Sequence, residues 1–436
     1  MAHSQTIGFI GSGRIGRPVM QALLKAGHKV QVYDKFQSAT DSIVSAGGTW
    51  AATPAIAAAH CDLLVTCLAL PSHVTECMLA EKGALETLPK GAVWLNMSTT
   101  DYHGTMEIAS QAKAKGVHCL EGPVSNLSHM GVDYGNSSLF CAGDKIGYDK
   151  VQDVLAVIAK ISFFTGEIGT AQATKLLTNH LFYAAVLVTT DCLAIASKAG
   201  IPTLWVWNQL EQSSANSIVL AQFMPFIFDG SYDSSCALEI GIKDLNLTVK
   251  LAKELQVDLP LGALVSQRYT LAGNHYDPRQ NHLSVAKLTE AANDLSLRVV
   301  GFEAASKYGI NPDYQHNQPM TVDDLGRLCP NWPASYQAAE FCPTAEQQEL
   351  TETLVHFIAL SNQRLLQEAR SLGLAAGIDA DLINEMIIWS VGTNWVIENW
   401  SDYVPMTNAI DALRAVASLH DLPFLRAFMS AMQHQD

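Results

Sequence analysis

The chain has 436 residues, 48% hydrophobic and 16% charged, enough for two or three domains with a large core and a lean polar surface. Its formal charge of −15 argues against a nucleic-acid binder, which needs a basic face to meet phosphates. Its nine cysteines stand singly, with no Cys-x-x-Cys pair and no Cys/His cluster at ligand spacing, so free thiols and no metal are expected. The start, MAHSQTIGFIGSG, lacks the basic and long apolar regions of a signal peptide. The longest apolar run, Leu181 to Ala196, is interrupted by Thr189, Thr190 and Asp191. A soluble cytoplasmic protein with no membrane contact is the expectation.

Thr6 to Ile10 reads as a short strand, followed by GSGRIG, a helical stretch, and a second strand, Lys29 to Tyr33, that ends at Asp34. Gly11-x-Gly13-x-x-Gly16 between strand and helix is the dinucleotide-binding pattern of a Rossmann-type fold. Gly11 permits the tight turn, Gly13 lets backbone approach a pyrophosphate, and Gly16 lets helix and strand pack closely. The helix N-terminus offers unpaired N–H groups to the phosphate. Asp34 suits the ribose hydroxyls and favours NAD, while the following Lys35 leaves NADP open. Arg14 and Ile15, between the glycines, are counted with them as cofactor-binding positions, as are Leu68 and Pro71 further along. Asp62 to Leu70, Ala92 to Asn96, Val117 to Leu120 and Ser138 to Ala142 read as further strands, the first nearly all apolar as buried parallel strands are. The pattern predicts a doubly wound sheet to about residue 165. Ligands in such sheets gather outside the carboxyl ends of the strands, where Pro71, Ser98 and Ser125 fall.

After Gly166 and Gly169 comes GTAQATKLLTNHLFYAAVLV, an apolar helix with a lysine and an asparagine near its start. Lys175 and Asn179 are four residues apart and share one helix face. Either both look out at water or both look into something that needs them. His180 falls off that face and reads as a packed histidine.

Four stretches carry a resemblance to the β-hydroxyacid dehydrogenase family, which includes 3-hydroxyisobutyrate dehydrogenase and is related to 6-phosphogluconate dehydrogenase. GFIGSGRIGRPVMQALLKAGHKVQVYD is close to its cofactor motif, and EGPVSNLSHMGVDYGNSSLFCAGD is similar to its substrate motif. GEIGTAQATKLLTNH resembles its catalytic motif, and IKDLNLTVKLAKELQVDLPLGALV its later cofactor-side motif. The resemblance implies an NAD(P)-dependent oxidoreductase that moves a hydride between nicotinamide and a small hydroxy acid or related alcohol. It implies Lys175 as general acid/base, Asn179 as its partner, Ser98, Ser125 and Asn126 at the substrate, Lys243 at the cofactor, and a homodimer. Asp244 is expected to cap or pair locally. The family's usual Ser-Gly-Gly is here Ser125-Asn126-Leu127, which puts side chains where bare backbone would cradle a carboxylate. An imine reductase on the same fold is one alternative, against which Lys175 speaks. A cofactor-binding regulator without turnover is the other.

The resemblance runs out near residue 295. Tyr308 to Pro343 is rich in Pro, Asn, Gln and Asp, and helices then resume. DCLAIASKAGIPTLWVWNQL (Asp191 to Leu210) aligns without gaps to EARSLGLAAGIDADLINEMI (Glu368 to Ile387), which points to an internal duplication. At that offset Glu352 and His356 take the places of Lys175 and Asn179, so the second copy is expected to lack catalysis. Trp389, Trp395 and Trp400 continue it as core or interface. The expectation is an α/β protein: a Rossmann domain over 1–165, then an all-α region of two related helical domains, 166–295 and 296–436.

Overall fold

The computed structural model describes residues 4–126, 131–133, 135–302, 341–399, 410, 411, 413, 414 and 422–433. Much of the Pro/Asn-rich stretch after Tyr308, together with Leu127 and Trp400, lies outside them. Two compact units form: Met1–Leu176 with Gly373–Met386, and Leu177–Leu372 with Ile387–Asp436.

The first unit is built on a nine-stranded sheet. Its strands are β1 (Thr6–Ile10), β2 (Lys29–Tyr33), β3 (Thr49–Trp50), β4 (Leu63–Thr66), β5 (Val93–Asn96), β6 (His118–Glu121), β7 (Val124–Asn126), β8 (Ser137–Gly143) and β9 (Ile161–Gly166). The order is β3-β2-β1-β4-β5-β6-β8-β7, with β9 paired to β8. β3 to β6 form a parallel array of the dinucleotide-binding type, with the chain reversal between β1 and β4. β8 then runs antiparallel to β6 and β7. Successive strand residues go to opposite faces, and both faces are covered. Leu63, Val65, Val93 and Leu95 join one core; Leu64, Trp94 and Cys119 join the other. That is why these strands read as unbroken apolar runs.

Three differences from the expected strands have local causes. The strand expected over Asp62 to Leu70 stops at Thr66. The Cys67 N–H still reaches the Ile10 carbonyl, but the Leu68 N–H turns to the Ser98 hydroxyl at 2.9 Å and the chain leaves the ladder. β3 and β7, of two and three residues, are too short to show a period. β9 lies in a stretch that carried no strand assignment, and it is fixed only by its parallel pairing with β8.

Among the described residues, the helices of nine or more residues are α1 (Gly16–Lys25), α2 (Pro71–Leu79), α3 (Tyr102–Ala114), α4 (Thr170–Lys198), α5 (Thr203–Glu211), α6 (Leu238–Glu254), α7 (Pro260–His275), α8 (Ala345–Ala375), α9 (Ala380–Ile388) and α10 (Pro423–Gln433). α4 is long and apolar enough to cross a membrane, yet 94% of its most apolar 18-residue window is buried in protein. It is a core helix by burial.

The two outer glycines of the nucleotide loop are needed for different reasons. Gly11 has φ +106°, and a Cβ on Gly16 would run into the carbonyl oxygen of Gly11. A Cβ on Gly13 would meet nothing within 4 Å. Gly16→Ala is therefore expected to destabilise the chain by about 1–3 kcal/mol, the usual cost of overpacking. Gly13→Ala should stay within about 0.5 kcal/mol of the parent. Urea unfolding of the two variants beside the parent checks this, and equal losses would contradict it.

Candidate active site

The loop after β1 is held from below and open above. The Gly11 N–H donates to the Tyr33 carbonyl at 2.9 Å, and the Ser12 hydroxyl to the Ala39 carbonyl at 2.8 Å. α1 begins after Ile15 with no side chain capping its first turn. Its first N–H groups and the free space over Gly13 fit a pyrophosphate. Arg14 is exposed beside them and Ile15 half-buried. Asp34 accepts from the Ser12 N–H on Oδ2 (2.8 Å) and from the Phe36 N–H on Oδ1 (3.0 Å). These bonds aim the carboxylate, and its remaining lone pairs can meet ribose hydroxyls. The residues present thus fit a dinucleotide.

At the ends of β4 and β5, a buried network sets the next positions. Trp94 Nε1 donates to Thr66 Oγ1 at 3.0 Å, Thr66 Oγ1 to Asn96 Oδ1 at 3.0 Å, and the Ser98 N–H to the same Asn96 oxygen at 3.2 Å. Ser98 Oγ accepts from Leu68, so its hydroxyl shapes the loop that leads to Pro71, the first residue of α2. Ser125 and Asn126 lie on β7 opposite Ser138 and Ser137. Asn126 Oδ1 is buried with no hydrogen-bond partner among the described residues.

The start of α4 is tied to this same end of the sheet. Gly169, at φ +105°, packs against the Tyr102 ring with no room for a Cβ. Gln172 is doubly held: its Oε1 accepts from the Thr100 N–H (3.0 Å) and its Nε2 donates to the Ser98 carbonyl (2.9 Å). Glu121, the last residue of β6, accepts from the Gly169 N–H at 2.8 Å, with the Ala171 and Gln172 N–H groups also favouring its charge. The carboxylate therefore caps the helix that carries Lys175. Complete burial outweighs these donors and pushes Glu121 up from 4.5 to about 7. Lys175 follows Gln172 by one helical turn and is half-buried. Sequence reading passed over Glu121, although it opens the quoted EGPVSN motif. A lone glutamate at a strand end gives no hint that it caps a helix through an N–H 48 residues later.

In the second unit, α4 continues to Asn179, which is buried and donates through Nδ2 to Asp244 Oδ2 at 2.8 Å. Tyr183, one turn further on, donates to the same oxygen at 3.4 Å. Lys243 Nζ lies 2.9 Å from Asp244 Oδ1. Asp244 was expected to cap or pair locally. It does pair with its neighbour, but its second oxygen joins α6 to α4 and fixes Asn179. The spacing of 65 residues hid that contact. His180 is fully buried, as expected of a packed histidine. Among the described residues no group of His, Cys, Asp and Glu could hold a metal.

This arrangement, a glycine-loop sheet followed by a buried helix bearing a lysine and a fixed asparagine, is that of an NAD(P)-dependent oxidoreductase. A family model described as the NAD binding domain of 6-phosphogluconate dehydrogenase matches residues 6–169. A second, described as NAD-binding of NADP-dependent 3-hydroxyisobutyrate dehydrogenase, matches residues 169–289. The chain belongs to the β-hydroxyacid dehydrogenase family. Glyoxylate/succinic semialdehyde reductase 2 of Arabidopsis thaliana is 27% identical over 287 residues, 66% of this chain and 80% of that protein. Cytokine-like nuclear factor N-PAC of Xenopus tropicalis is 28% identical over 266 residues, 61% of this chain, and the chain spans 50% of that protein's length. In fold, 3-hydroxyisobutyrate dehydrogenase of Mycobacterium tuberculosis matches with a TM-score of 0.60 at 20% identity, over 66% of this chain and 99% of that one.

The raised Glu121 gives a pH test. Its contribution to stability is fully present below about 4.5 and is lost as pH rises through about 7, because the folded chain resists ionising it. Burial also raises Asp191 to about 6 and Glu211 to about 7, so the three act in the same direction. Glu121→Gln has no proton to lose and should flatten the fall in Tm across that window without abolishing it. Parallel Tm–pH curves for variant and parent would contradict the assignment.

Proposed function

We propose that the protein oxidises a small hydroxy acid, or reduces the matching aldehyde or keto acid, with Lys175 as general acid/base. The observation that carries this reading is the fixed Asn179, held by Asp244 at 2.8 Å one helical turn beyond Lys175. When bound, NAD(P) supplies or accepts the hydride. Gly11, Gly13 and Gly16 with the first turn of α1 would hold its phosphates, and Asp34 its ribose. Arg14, Ile15, Leu68 and Pro71 would line it, and the family resemblance adds Lys243.

Lys175 takes the hydroxyl proton in oxidation and returns it in reduction. The backbone of its helix is locked at the start by Glu121 and Gln172, so the ammonium swings from a fixed base. Asn179 spends one N–H on Asp244 and keeps the other, with its oxygen, for the substrate oxygen. Asn126 Oδ1, buried with no hydrogen-bond partner among the described residues, would accept from a donor on the substrate. Asn126 stands where backbone alone would admit a bare carboxylate, so a substrate with its own donor is favoured. Ser125, beside it, would bind the same end. Ser98 acts mainly by holding the Leu68 loop. The homodimer expected by resemblance remains part of this proposal.

Lys175→Ala is expected to lower turnover by roughly 10²–10⁴-fold, the usual worth of a positioned acid/base, with cofactor Kd unchanged. Nicotinamide absorbance with glyoxylate, succinic semialdehyde and 3-hydroxyisobutyrate as probes measures it. Unaltered turnover would move the proton transfer elsewhere. Cofactor binding without turnover on any hydroxy acid or aldehyde would favour a regulator. Asp34→Ala should weaken NAD far more than NADP in a fluorescence titration. Equal loss would place Asp34 away from the ribose.

A further inference from the structure

The two helical stretches repeat at a constant offset of 177 residues (394 − 217). Gly200 and Gly377 both turn at positive φ, +75° and +83°. The N–H groups of Ile201 and Ile378 then close back on Ala196 and Gly373, each at 3.0 Å. α5 and α9 have nine residues each. Beyond them the Ser213 and Ser390 hydroxyls accept from the Ala215 and Gly392 N–H groups at 3.2 and 3.0 Å. The Ser217 hydroxyl caps Leu220 at 3.2 Å, and the Asn394 amide oxygen caps Ile397 at 3.1 Å. Agreement at every one of these positions is not expected of two unrelated helical hairpins.

The copies also meet through equivalent residues. Ser217 and Asn394 form an antiparallel bridge. The Ile218 N–H donates to the Thr393 carbonyl at 3.2 Å, and the Trp395 N–H to the Asn216 carbonyl at 2.9 Å. Exchanging the copies turns each bond into the other. This is the self-complementary pairing of a two-fold dimer, made within one chain.

The same exchange recurs with charge. Asp191 of α4 and Glu368 of α8 are equivalent, and both are buried. Asp191 accepts from Thr289 Oγ1 at 2.6 Å, and the Leu425 N–H in the first turn of α10 also favours its charge. Glu368 accepts from the Leu261 and Gly262 N–H groups in the first turn of α7, at 2.8 and 3.1 Å. α7 and α10 both open on Leu-Pro, at Leu259-Pro260 and Leu422-Pro423. Each copy thus turns a buried carboxylate to the first turn of a later helix in the other. The exchange differs in one respect: Glu368 Oε2 also lies 3.3 Å from His180 Nε2, the residue after Asn179. Gly262 is packed so tightly on that imidazole that a Cβ would sit 3.1 Å from it.

We infer that the second repeat is a built-in partner for the first, and that Glu368 is the positioning residue through which it fixes the segment of α4 bearing Asn179. The contacts close a ring. Glu368 joins α8 to α7 and to His180 of α4; Ser266 Oγ of α7 donates to Asn246 of α6 at 2.9 Å; Asp244 of α6 holds Asn179 of α4. Glu352 and His356 replace the lysine and asparagine in the second copy. What that copy supplies is the cap. The catalytic half of this inference rests on the role proposed for Asn179; the structural half does not.

The test compares Glu368→Ala, Glu368→Gln and Asp191→Asn in the full chain. Asp191 is the control because it makes the equivalent cap on the side away from His180. Hydrogen exchange without ligand is the first readout. Glu368→Ala should lose protection at Leu261, Gly262 and the segment around His180, Glu368→Gln should regain part of it, and Asp191→Asn should lose protection at the start of α10 instead. The second readout is reduction of succinic semialdehyde. Glu368→Ala should lose between roughly 10- and 100-fold in kcat, as small misplacements do, with cofactor Kd kept. Asp191→Asn should keep kcat while lowering Tm. If Glu368→Ala does not fold, Glu368→Gln carries the same comparison. Equal loss of protection around His180 in the Glu368 and Asp191 variants would overturn the inference. So would kcat falling with Tm alike in both. Because exchange needs no substrate, failure of the catalytic reading leaves that arm standing.

Discussion

A 29-residue helix buried along most of its length must have every polar group on it answered from elsewhere. α4 meets most of this demand, with both His180 ring nitrogens and Asp191 Oδ2 left without a hydrogen bond among the described residues. Glu121 caps its start, Thr100 and Ser98 take up Gln172, and the Thr174 hydroxyl turns back to the Thr170 carbonyl. Asp244 meets Asn179, and Thr289 meets Asp191. The partners come from the sheet, from α6 and from the segment after α7.

The chemistry depends on this. A general acid/base and the amide beside it must be held within a fraction of an ångström of their working places. In the first unit the end of β6 and the Ser98 loop answer the start of α4; in the second the Lys243-Asp244 pair answers Asn179. Glu121 marks the tension here, since its burial costs ionisation and its helix cap favours it.

Beyond residue 289, where the family models stop, the chain adds a second set of helices with the same turns and caps. Two carboxylates at equivalent places, Asp191 and Glu368, face the first turn of a later helix in the other copy. Such reciprocity normally belongs to two subunits. Placed in one chain, it frees the copies to diverge. The first copy bears Lys175 and Asn179 where the second has Glu352 and His356, and both bear the carboxylate.

Much of this was legible in the sequence. Gly11, Gly13, Gly16 and Asp34 could be read because their work is local: a turn, a close approach, an acid at the end of the next strand. β1, β2, β5 and β8 could be read because a parallel strand buried on both faces is an apolar run. Lys175 and Asn179 stood out because a lysine and an amide interrupt an apolar helix at one-turn spacing. The gapless match of Asp191 to Leu210 with Glu368 to Ile387 was visible as a repeat. What tertiary structure alone decided is whatever depends on a partner distant in the chain. β9 exists by pairing with β8, Glu121 is a cap only once Gly169 is beside it, and Asp244 reaches Asn179 across 65 residues. Glu368 reaches Leu261 across 107. A carboxylate at any of these places looks alike in sequence, because its role is set by which N–H or amide the fold brings to it.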